Sequence, residues 1–123
     1  MNVVDSSGWI ECFVGGPNAG FFALPLEDPD GLLVPSVTIF EVYRYVLRER
    51  GREGALAVVG WMRESRVIPV DGGLAVQAAE AAARHRLPMA DSIVYATAVI
   101  HGATLWTQDT DFDGLPGVEY PPR

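Results

Sequence analysis

Four carboxylates interrupt apolar stretches of this chain. Asp5 follows Asn2-Val3-Val4, Glu41 sits inside Val37-Thr38-Ile39-Phe40-Glu41-Val42-Tyr43, Asp91 leads into Ser92-Ile93-Val94-Tyr95-Ala96, and Asp109 follows Leu105-Trp106-Thr107-Gln108. Carried on separate elements of one α/β layer structure, they would converge and repel. Two such charges about 5 Å apart, at an effective dielectric of about 20, repel by roughly 3 kcal/mol. A cluster of this kind persists when a divalent cation neutralises it or some members hold protons. The chemistry to look for is a metal-dependent site.

Short apolar runs alternating with amphipathic stretches predict β-α units around a largely parallel sheet, a three-layer α/β/α fold with four to five strands. Strands are expected at Met1 to Val4, Leu32 to Val34, Val67 to Val70, Ala103 to Thr107 and, at an edge, Val118 to Tyr120. Ser6 and Ser7 are placed to cap a helix running to Phe13, broken by Gly15-Gly16-Pro17 before a short helix over Asn18 to Leu24. After the turn Asp28-Pro29-Asp30-Gly31, Pro35-Ser36 opens a helix over Val37 to Arg50 with Val37, Phe40, Tyr43 and Leu47 as its apolar stripe, and Gly51 closes it. Arg52 to Ser65 reads as a further helix striped by Leu56, Val59 and Met62. Leu74 to Arg86 is a helix capped by Asp71, and the next one starts at Pro88 and runs to about His101. One domain over residues 1–123 accounts for the whole pattern.

This layout puts Asp5 and Asp109 at the carboxyl ends of strands, the edge where open parallel sheets bind ligands, with Glu41 and Asp91 in the first turns of helices. Each acid also has an ordinary structural reading. Asp5 reads equally as a helix cap, Asp91 as a carboxylate at a helix N-terminus, Glu41 as a solvated charge near Arg44, and Asp109, Asp111 and Asp113 as loop acids. Their joint placement at one sheet edge is what favours a site.

Other chemistries find less support. Asp109-Thr110-Asp111-Phe112-Asp113-Gly114 matches the first half of a calcium loop, but the twelfth position is Tyr120 instead of glutamate and Pro116 lies inside. His85 and His101 sit at helix surfaces or ends, Ser6 and Ser7 have no partner base, and Cys12 has apolar neighbours. All nine basic residues are arginine, so the P-loop lysine, the receiver-domain lysine and Schiff-base chemistry are excluded. A net charge of -7 argues against a general nucleic-acid coat, though a local groove lined by arginine such as Arg44 and Arg48 remains open. With one cysteine, no signal-like start and no apolar span near 20 residues, a cytoplasmic protein without a membrane segment is expected.

Taken in order, Val3-Val4-Asp5-Ser6-Ser7, Ser36 to Glu41, Leu87-Pro88-Met89-Ala90-Asp91-Ser92-Ile93 and Leu105-Trp106-Thr107-Gln108-Asp109-Thr110-Asp111-Phe112 resemble the PIN-domain proteins of the VapC type, toxins of toxin-antitoxin pairs. The resemblance runs over essentially the whole chain. It implies an acidic quartet of Asp5, Glu41, Asp91 and Asp109 holding Mg2+ or Mn2+, with Asp111 as accessory acid and Ser6 and Thr107 bonding the carboxylates. It also implies endonucleolytic cleavage of RNA by metal-activated water, a cognate antitoxin that covers the groove, and a homodimer to which Phe21, Phe22 and Trp61 would contribute if exposed. A PIN nuclease of RNA processing or DNA repair, and a non-enzymatic metal-binding domain, are the alternatives.

Overall fold

The computed structural model describes residues 1–122; Arg123, the last residue of the expected domain, lies outside them. Five parallel strands form one sheet in the order β3-β2-β1-β4-β5. These are β1 Asn2–Val4, β2 Leu32–Pro35, β3 Arg66–Ile68, β4 Thr104–Trp106 and β5 Val118–Glu119. Between them run α1 Ser6–Val14, α2 Ala19–Leu26, α3 Ser36–Met62, α4 Gly72–His85 and α5 Met89–Ile100. The three-layer α/β/α architecture expected from the apolar pattern is the one found. The strand expected over Val67 to Val70 is found at Arg66–Ile68, so Pro69 falls just past it, while Pro35 ends β2 in register with Ile68.

Strand residues alternate faces, and each face has its own core. Val4, Leu32 and Val34 pack with Trp9 of α1, Phe22 and Leu26 of α2, and Val42, Val46, Ala55, Val58 and Met62 of α3. Val3, Leu33 and Leu105 pack on the other side with Ala81 of α4, Val94, Tyr95 and Ala98 of α5, and Phe112. The register explains the sorting: Val3 pairs with Leu33 on one side and Leu105 on the other, so all three point the same way.

Two expectations about α3 are corrected. Its buried stripe is Thr38, Val42 and Val46, and the expected stripe residues Phe40 and Leu47 stand 60% and 43% exposed. Small β-branched side chains let the helix lie close on the sheet, which leaves the larger residues one position round on the outside. In the second half Met62 is buried as expected, while Ala55 and Val58 are buried in place of Leu56 and Val59, a displacement by one position. Gly51 breaks the helix as expected, through φ 79 and ψ -178 that only glycine adopts readily, yet α3 resumes at once and remains one kinked element. Phe22 proves to be fully buried core, Phe21 is half-buried against Trp106, and Trp61 sits edge-on to Trp9. Among the described residues no helix is long and apolar enough to cross a membrane.

Candidate active site

In the order β3-β2-β1-β4-β5 the chain leaves the central strand β1 in both directions, so a crevice opens where β1 and β4 end side by side. Asp5 is the first residue past β1, and its N–H donates to the carbonyl of Trp106 on β4 at 3.2 Å. The ordinary reading of Asp5 is realised: it is the N-cap of α1, with Oδ1 accepting from the Gly8 N–H at 3.2 Å. It does more than cap. Ser7 Oγ donates to Oδ1 at 2.6 Å and Thr107 Oγ1 donates to Oδ2 at 2.7 Å. Ser7, which was not singled out for this role, is the serine bonded to Asp5.

Gly8 makes this corner buildable. A Cβ there would lie 2.5 Å from Val4 Cγ1 and 2.6 Å from Phe22 Cδ1, so any larger residue would push α1 off β1 and α2 and carry the capping N–H away from Asp5. Thr107, fully buried, ties the two strand ends together: while donating to Asp5 it accepts from the Asp109 N–H at 3.0 Å. Asp109 in turn accepts the Asp111 N–H at 2.9 Å and caps the single 3-10 turn Thr110–Phe112, so the loop acids are held by their own backbone. Phe112 anchors that turn in the core. Asp91 lies one turn inside the N-terminus of α5, behind Pro88 at the cap position.

The carboxylates meet. Oxygens of Asp91, Asp109 and Asp111 all lie within 4.8 Å of one another, a group able to hold a metal ion. This agrees with the rejection of a calcium loop, because Asp109 and Asp111 group with Asp91 of a separate helix. Asp5 joins the group electrostatically. Burial pushes its pKa up to about 6, against the hydrogen bonds from Ser7, Thr107 and Gly8, and the charge of Asp109 adds to the rise. Asp91 is pushed up to about 7, by burial first and then by Asp109, Asp111 and Asp5. Glu41 is raised by burial and by Asp109, and held back by a hydrogen bond from Ser6 and by the Arg44 cation. The expected role of Ser6 thus falls on Glu41.

A second layer went unread in the sequence. Asn18 Nδ2 donates to Gln108 Oε1 at 2.8 Å while the Asn18 N–H donates to Glu11 Oε2 at 2.8 Å, and Tyr120 donates to the Gln108 carbonyl at 2.6 Å. These bonds moor the segment carrying Asp109 to the α1–α2 connection and to the chain after β5. The only hint was composition, a run of amide and hydroxyl residues beside the acids. His101 Nδ1 lies 2.9 Å from the Thr97 carbonyl, His85 stacks edge-on to Tyr95, and the Cys12 thiol donates to the Ala19 carbonyl at 3.5 Å, so each of these groups has a partner other than the acids.

The sequence matches a known family model, the PIN domain, over residues 3–118. The chain belongs to the PIN domain family. Within it the chain is of the VapC type, being 36% identical over 94 residues to Ribonuclease VapC4 of Mycobacterium tuberculosis, an alignment covering 70% of this chain and 72% of that one. Among solved structures the fold is similar to a toxin-antitoxin complex from Klebsiella pneumoniae, with TM-score 0.83 and 22% identity over 99% of this chain and 98% of that one. It is also similar to Mycobacterium tuberculosis VapC20, a sarcin-ricin loop cleaving toxin, with TM-score 0.82 and 23% identity over 99% of this VapC-type chain and 100% of the other.

Proposed function

We propose that this VapC-type PIN domain is a Mg2+- or Mn2+-dependent endoribonuclease and the toxin of a toxin-antitoxin pair. The observation carrying the reading is the acid group at the β1–β4 crevice, where Asp91, Asp109 and Asp111 converge within 4.8 Å and Asp5 and Asp91 are pushed up to about 6 and about 7. Carboxyl groups with raised pKa values and oxygen-only donors fit a hard divalent cation, whose charge would remove the repulsion that the protein leaves uncompensated. Asp5, Asp91 and Asp109 would hold the ion, with Glu41 completing the site and Asp111 as accessory acid. Bound there, a divalent cation supplies a water of lowered pKa and offsets negative charge on the phosphodiester.

The chain's own residues do the rest. Ser7, Thr107 and the Gly8 N–H aim both oxygens of Asp5, so the carboxylate enters the crevice in one orientation. Thr107 keeps Asp109 in register with Asp5, and the Asn18–Gln108 bond steadies the loop behind them. Of the basic residues, Arg44 acts on Glu41 and is the nearest identified cation for a substrate phosphate. An antitoxin partner is supported by the names of the relatives, which include a ribonuclease VapC and a toxin-antitoxin complex. A homodimer and a cytoplasmic location belong to the same reading, as does treatment of residues 1–123 as one domain.

The test is RNA cleavage by the purified protein. Activity is expected with Mn2+ or Mg2+, loss of it in excess chelator, and a fall of at least about a hundredfold in Asp91→Asn. Cleavage that persists in chelator would sink the reading.

A further inference from the structure

We propose that Phe40 and Arg44 form a nucleotide seat on α3 beside Glu41, Phe40 stacking a base that flanks the scissile bond and Arg44 holding its phosphate. This rests on the reading that the acids cut RNA. The helical pattern assigns Phe40 to the core, yet the structure leaves it 60% exposed, immediately before the site acid Glu41. Other large apolar side chains are exposed as well, but Phe40 is the one that directly adjoins a site acid in the chain. The Arg44 guanidinium lies over it, 5.5 Å from the ring centroid, and the same cation acts on the Glu41 carboxyl group.

The spacing explains both contacts. Arg44 is four residues past Phe40 and three past Glu41, and helical side chains lean toward the N-terminus, so its head covers the first turns of α3 at the carboxyl edge of the sheet. Seated on a ring, the guanidinium is pre-organised and loses little freedom on meeting a phosphate. Charge decides between occupants. In a chain of net charge -7 with no lysine, a cation fixed beside the acid group offers an anionic polymer a local foothold. Unpaired nucleotides bind by this combination, a base on an aromatic or guanidinium plane and a phosphate on a cation. Arg48 fits less well: it stands over Tyr45, is 69% exposed and pairs with Glu49 at 3.4 Å.

The experiment is a substrate-by-variant cycle. Wild type maps the cut in a short single-stranded RNA, and kcat/KM is then measured on that RNA and on copies abasic at either flanking nucleotide, for wild type, Phe40→Ala, Phe40→Trp and Arg44→Gln. Wild type is expected to lose about tenfold on one abasic copy, Phe40→Ala about tenfold on the intact RNA with no further loss on that copy, and Phe40→Trp to recover. Arg44→Gln should raise KM and flatten the salt dependence of cleavage. Equal abasic losses in wild type and Phe40→Ala would overturn the seat. So would wild-type cleavage by Phe40→Ala combined with lost binding of a protein partner, which would give the face to that partner. A wild type inactive in Mn2+ would remove the nuclease reading itself, and the seat with it.

Discussion

Replacing Asp5 by asparagine should stabilise the metal-free protein while ending its function, and the size of the effect follows from burial. Asp5 is 4% exposed, and its pKa stands at about 6 against 3.8 for the unfolded chain. The sign follows from linkage. Below the unfolded value both states are protonated and the group contributes nothing. As pH rises toward 6 the unfolded state ionises first, so stability is lost across that window and stays lost above it. A rise of about two pKa units makes the penalty roughly 3 kcal/mol at about pH 8. Asparagine carries no charge and still accepts from Gly8 N–H, but its amide must meet Thr107 Oγ1 with the hydroxyl turned, at a cost of about 1 kcal/mol. The net gain is then roughly 2 kcal/mol near pH 8, a rise of about 5–10 °C in Tm, falling to zero or below near pH 4. Mn2+ should reverse the order, since a ligand at about a hundred times its Kd adds roughly 2.7 kcal/mol to the wild type and little to the variant. Thermal unfolding of both proteins at the two pH values, with chelator or Mn2+, is the assay. Parallel pH profiles, or equal Mn2+ shifts in both proteins, would refute the reasoning.

Metal affinity should weaken by about tenfold or more per pH unit below about pH 6, because Asp91 and Asp5 must release protons to bind; calorimetry in two buffers of different ionisation enthalpy counts them. Thr107→Val removes the bond joining Asp5 to the Asp109 loop and should lower Mn2+ affinity by about 10- to 100-fold, read by titration against a thermal shift. Gly8→Ala forces its new methyl against Val4 and Phe22 and should cost about 1–3 kcal/mol in urea unfolding, where an unchanged midpoint would show that α1 shifts freely.

The succession of strands and helices along the chain was legible because apolar runs and breakers such as Gly15 act locally, whereas Pro69 fell past the strand expected to hold it and α3 ran on through Gly51. The acids were legible for a different reason: a charge inside an apolar run violates the pattern, and Asp91, Asp109 and Asp111 converge within 4.8 Å, with the Asp5 charge acting on Asp91. What the sequence hid depends on angles. Periodicity alone put Phe40 inside, whereas the close seating of Thr38, Val42 and Val46 on the sheet turned it outward. The choice of Ser7 over Ser6 for Asp5 depends on the geometry of the first turn of α1, and the Asn18–Gln108 bond joins residues 90 positions apart that no local rule connects.

The pairing of β1 with β4 has a consequence for when the molecule becomes dangerous. Asp5 leaves the ribosome early, but the hydroxyl that aims it and the aspartate beside it come from residues about a hundred positions later. A partial product that ends before Asp111 lacks the complete set of acids. The crevice is therefore completed only once β4 has been made and has paired with β1.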